Sequence, residues 1–148
     1  MEQETEILLK FCENEWAQER LLENQRSTLT NFIIFISVAD FGLIIQKGFD
    51  ENSIPLAIIL IIIGLYGALV SAKLYERWKF SVHRVREWRG KIDKLYPEAQ
   101  LIELKNLADK KHSNKFPIFS KIHLTSLWII LHLSIAFLGV VCLLVIIF

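Results

Sequence analysis

The chain has 148 residues, a formal net charge of +1 and 53% hydrophobic residues, against roughly 45–50% apolar residues in a soluble domain. The excess is concentrated in three stretches. A soluble bundle hiding all three is disfavoured, because the few remaining residues cannot supply a surrounding core.

In chain order, the first 28 residues read as an acidic helix, with 7 Glu against 3 Lys or Arg, a local net of −4. Leu8, Cys12 and Trp16 form one stripe, joined by Leu9 and Phe11. A cleavable signal peptide needs a basic start followed closely by an apolar run, so none is expected here. Ser27 and Thr28 suit caps where the chain turns into the next segment. Leu29 to Ile45 follows, 17 residues with Asp40 as the only formal charge. That length is the lower limit for crossing a hydrocarbon core, which takes about 20 apolar helical residues.

Pro55 to Ala72 is an uncharged run of 18 residues. Gly64, Ala68 and Ser71 share a face, with Gly67 beside them, and small residues so spaced let helix backbones approach closely. The partner is either another span of the same chain or a second copy. Nothing breaks the helix beyond Ala72, and apolar positions recur at spacings of three and four from Trp78 to Leu95. One helix is therefore expected from Pro55 to about Tyr96, with Gly90 its weak point at about 1 kcal/mol relative to Ala. Pro97 suits the first turn of another helix, running to about Lys111 with Leu101, Leu104 and Ala108 inward. His112 to Ile118 reads as a turn, since Pro117 forbids a continuous helix. The last span is Leu124 to Phe148, 25 residues without a charge. Tyr75, Trp78 and Trp128 fall near span ends, where aromatic rings favour the headgroup level; Trp78 suits the core of a cytoplasmic bundle equally well.

Charge asymmetry orients these spans. Residues 73–122 hold 13 Lys or Arg against 6 Asp or Glu, while the loop 46–54 is net −1. Basic loops stay in the cytoplasm, so the N-terminus is expected inside and the C-terminus outside. Cys12 and Cys142 then lie on opposite sides of the membrane and cannot pair.

Two polar residues sit inside spans, Asp40 in the first and His132 in the third. Exposing either to lipid costs a few kcal/mol, so each is expected to face another helix or a watery path. Counted from the span starts, their depths are similar enough for the two to approach each other. Asp40 is read either as lining a pore or proton path, or as an interhelical anchor supported by Ser37, or as snorkelling to the outer surface. His132 reads first as a structural hydrogen-bonder. In the basic run beyond Lys73, Arg77, Arg84 and Lys91 recur every seven residues. They suit anionic lipid headgroups, docking of the acidic first helix, or a nucleotide or nucleic-acid ligand, and a plain positive-inside flank accounts for them too. No phosphate-cradling loop, nucleophile elbow or zinc-helix motif occurs, and the four histidines lack ligand spacing. Neither enzyme activity, nor a cofactor, nor a metal is expected.

The order of elements resembles a group of small bacterial inner-membrane proteins. The features that carry the resemblance are Gln25-Arg26-Ser27-Thr28 with Asn31, a tight hairpin, and a long basic helix holding Tyr75, Arg77 and Trp78. It is similar to the RipA family of oligomeric membrane proteins and, more distantly, to SLATT-type two-span effectors of phage defence, over roughly residues 5–95. The third span departs from their two-span pattern. The resemblance implies a homo-oligomer and, for the SLATT-like members, a membrane-permeabilising role.

The expectation is an all-α integral membrane protein. It comprises a cytoplasmic helix (1–28), a transmembrane hairpin (29–72), a basic cytoplasmic helical region (73–122) and a third transmembrane helix (123–148). The favoured function is a homo-oligomer of the bacterial inner membrane that forms or gates a pore, with a cytoplasmic protein or a nucleotide as trigger and no nucleic acid. The rivals are a non-conducting scaffold that docks a cytoplasmic partner, and an enzyme at the membrane surface.

Overall fold

The computed structural model describes residues 2–148 and is helical throughout, with no strand among them. Four helices carry the fold: α1 (Glu2–Lys47), α2 (Ile54–Leu95), α3 (Leu101–Lys115) and α4 (Leu124–Ile147). α1, α2 and α4 are each long and apolar enough to cross a membrane.

α1 runs unbroken through Ser27 and Thr28, so the expected caps are interior residues of a helix. No Pro or Gly occurs between Glu2 and Phe41, and a hydroxyl residue caps only where the backbone leaves the helix. α1 stops at Gly48, whose φ of +88° is a left-handed conformation natural to glycine. The Ser53 hydroxyl closes the turn by donating to the Gly48 carbonyl at 2.8 Å. The Asn52 side chain donates to Asp50 at 3.1 Å and, as the main cause, holds that carboxyl below its ordinary range.

Pro55 lies in the first turn of α2, where a missing N–H costs nothing. The helix continues to Leu95, as its sequence dictates. It ends as Pro97 disfavours helical geometry at Tyr96. Asp93 then accepts the Leu101 and Ile102 amides at 2.6 and 3.2 Å, satisfying donors at the start of α3. α3 extends to Lys115, four residues past the expected end, because the first residue constrained by Pro117 is Phe116. Leu104 (57% exposed) and Ala108 face outward, so the inward face expected for this helix reduces to Leu101.

The chain divides into two compact units. One comprises residues 24–75 and 124–148. Its apolar core is Ile44, Ala57, Leu60 and Cys142, flanked by Phe41, Leu56, Ile135, Leu138, Leu143 and Ile146. Gly64 and Gly67 pack against α4. A Cβ on Gly64 would lie 2.7 Å from the His132 carbonyl oxygen, and one on Gly67 would meet the His132 ring. Gly139 reciprocates, a Cβ there falling 2.8 Å from the Ala57 carbonyl oxygen. Ala68 and Ser71 are buried on the same side of α2. The small-residue face therefore joins α2 to α4 within one chain.

The other unit comprises residues 2–23 and 76–123 among those described. Leu8, Cys12, Val85 and Ile92 form its buried seam. Phe11 meets Trp88 with ring centroids 5.3 Å apart. Trp16, expected on the seam, is 42% exposed, and Glu15 takes the inward position. A four–three spacing from Leu8 and Cys12 reaches residue 15, not 16. Burial pushes the Cys12 thiol up, which keeps it protonated and unreactive.

Two glycines in α2 give opposite expectations. A Cβ on Gly90 would meet only the Ile102 Cδ1, at 3.9 Å. Gly90→Ala should therefore stabilise the protein by up to about 1 kcal/mol. Gly64→Val drives carbon into backbone, and overpacking of this kind costs roughly 1–3 kcal/mol or more. Thermal melting in detergent should move up for the first variant and down for the second.

Candidate functional site: a polar seam among apolar helices

In the unit of residues 24–75 and 124–148, large apolar side chains such as Phe35, Val38, Leu69 and Phe137 point outward, while Thr30, Ser37, Asp40, Ser71 and His132 point in. Along α1 the inward positions are Arg26, Thr30, Ile33, Ser37, Asp40 and Ile44, at spacings of three and four. α4 presents Thr125 and His132, and α2 presents Ser71.

Two hydrogen bonds set α1 against α4. The Arg26 guanidinium donates to the Thr125 hydroxyl at 3.5 Å and lies 5.7 Å from the centroid of the Trp128 ring. Thr30 Oγ1 and His132 Nε2 share a bond of 3.2 Å, with His132 fully buried. Neither Arg26 nor Thr30 stands out in the sequence as a site residue. The signal that could have found them is the four-residue spacing that places both on the face carrying Ser37 and Asp40.

This pairing corrects the expected approach of Asp40 to His132. Thr30 is level with His132, and Asp40 lies ten residues further along α1, about 15 Å of helical rise. Thr30, one residue into its apolar run, pairs with His132, eight residues into its own, so the two runs do not start at the same level. Ser37 does not support Asp40 either, because the Ser37 hydroxyl has no hydrogen-bond partner among the described residues.

Asp40 itself is 7% exposed and faces the bundle, which removes the snorkelling alternative. Its Oδ2, together with Ser37 Oγ, Ser71 Oγ and His132 Nδ1, is buried without a hydrogen-bond partner among the described residues. Buried polar atoms in folded proteins are nearly always partnered. Such atoms, Trp128 Nε1 among them, are complementary to water, a proton or a small ion inside an apolar-coated unit.

The heptad of bases resolves differently. Arg84 is bound to Glu15 at 2.9 Å, and Lys91 to Glu4 at 2.7 Å. Ser81 also donates to the buried Glu15. The acidic segment of α1 thus docks on two of the four bases expected to contact lipid, a partner or a nucleotide. Arg77 and Lys73 are exposed. Lys91 lowers the Glu4 carboxyl below its ordinary range, first by a hydrogen bond and then by its charge. Burial raises Glu19, against the pull of Arg89.

No protein-family model, curated protein or solved structure matches the chain.

Because Glu19 carries a folded-state pKa above its unfolded value, its contribution to stability is fully present below the ordinary Glu range and is lost as pH rises through the raised value. Glu19→Gln should therefore be more stable than wild type at pH 7, with the difference closing as pH falls towards 4. Thermal unfolding of both proteins across this range checks it, and equal melting temperatures at pH 7 would refute the assignment.

Proposed function

We propose that this is a multi-pass protein of a bacterial inner membrane, N-terminus cytoplasmic and C-terminus outside, whose spanning helices hold a path for protons or small ions. The observation that carries the reading is the line of buried polar side chains, Ser37, Asp40, Ser71 and His132, inside helices whose outer surfaces are apolar. In lipid, an intramembrane carboxylate costs a few kcal/mol unless it serves a pathway or has a partner. The excess of basic residues over 73–122, most of it on the second half of α2, supports the orientation. Asp40 is assigned to the path and His132, held by Thr30, to its inner portion.

The working form is a homo-oligomer. Each three-helix unit leaves Phe32, Phe35, Leu69 and Phe137 exposed for lipid or for a neighbouring copy. The resemblance to oligomeric membrane proteins and to phage-defence effectors favours a membrane-permeabilising role. Gly64 and Gly67 are spoken for within the chain, so subunits meet elsewhere.

The test is proton and potassium flux into proteoliposomes containing the purified chain, together with the mass of the detergent-solubilised particle. Wild type should leak, and Asp40→Asn should cut the flux at least about tenfold, equivalent to about 1.4 kcal/mol, without changing mass or helix content. A monomeric particle defeats the oligomer. An absence of flux together with a stoichiometric co-purifying protein would point to a non-conducting scaffold.

A further inference from the structure

A groove of about 600 Å³ opens in the unit of residues 2–23 and 76–123, with α1, α2 and α3 each lining part of it. That volume lies in the range of small-molecule sites, roughly 300–1,000 Å³. Its cations are Lys79, Arg86, Arg89 and Lys105, against the single carboxylate Glu19. Arg84 and Lys91, which pair with Glu15 and Glu4 of α1, are not part of this lining.

Two indoles, Trp16 and Trp78, complete the lining. Arg89 lies 5.4 Å from the centroid of the Trp16 ring, which presents a guanidinium and an aromatic face together. The exposure of Trp16, costly for so large an apolar side chain, is accounted for if its free face is a contact surface. Lys105 is tied to Asp109 on its own helix, an exposed pair that an incoming anion can replace at little cost.

We propose that this groove binds an organic phosphate, its phosphoryl group held by Arg86, Arg89 and Lys105 and its planar or apolar body lying against Trp16 and Trp78. The planar fork of arginine matches phosphate oxygens in paired hydrogen bonds. The indole faces supply the area that distinguishes an organic phosphate from a bare anion. A soluble nucleotide and a phospholipid headgroup share this chemistry. The proposal is independent of conduction, because it concerns residues outside the polar seam and is read by binding.

The full chain, purified in uncharged detergent, is titrated with a methylanthraniloyl-labelled ADP and with inorganic phosphate. In parallel, it is placed in nanodiscs of phosphatidylcholine with and without phosphatidylglycerol and followed by tryptophan fluorescence. Saturable binding of the labelled nucleotide identifies a soluble ligand; a saturable response to phosphatidylglycerol alone identifies a lipid. In either case Arg86→Gln with Lys105→Gln should weaken binding roughly tenfold or more, as expected for losing charge-assisted hydrogen bonds. Inorganic phosphate should bind at least about tenfold more weakly than the nucleotide if the indoles contribute, and Trp16→Ala should erase that difference. Circular dichroism establishes that the variants fold. Three results would overturn the proposal: no saturable response to either probe, full affinity in the folded double variant, or inorganic phosphate binding as tightly as the nucleotide.

Discussion

The structure depends on how polar side chains are accommodated inside a unit whose exterior is hydrocarbon. Thr30 and His132 meet across α1 and α4 at 3.2 Å, and Arg26 reaches Thr125 one turn earlier. A one-residue slip would turn these polar groups towards the apolar outer surface. Register between the helices is therefore enforced by the cost of an unpartnered polar group, which is greater in lipid than in water. Gly64, Gly67 and Gly139 make the arrangement sterically possible by letting α2 approach the His132 backbone and ring, and α4 approach Ala57.

The second unit uses opposite charges at a water-exposed surface. Among the described residues Glu15 is the one buried acid there, and it is met by Ser81 and Arg84. Glu4 with Lys91 and Thr5 with Tyr96 extend the same contact towards the start of α1. The exposed pair adds little stability by itself, since solvent screens it. Its effect is selective, because it fixes which face of α2 the acidic helix covers and so which bases remain along the groove.

The two units differ in character: buried polar residues among apolar helices in one, and a cationic, indole-lined groove in the other. The same two long helices, α1 and α2, contribute to both units.

Much was legible from the order of residues alone. Uninterrupted apolar runs specified α4 and the apolar part of α2, and the absence of breakers after Ala72 specified one helix through Leu95, because helix length and hydropathy are local properties. Asp40 and His132 stood out for the same reason, as polar residues in apolar runs. What tertiary structure decided was partnership. It separated Asp40 from His132, gave His132 to Thr30 and turned Glu15 inward in place of Trp16. It also committed the glycine face of α2 to α4 and took Arg84 and Lys91 for the acids of α1. Each outcome depends on the relative rotation and axial offset of two helices. Those are set by packing between distant residues, and a count along one chain does not contain them.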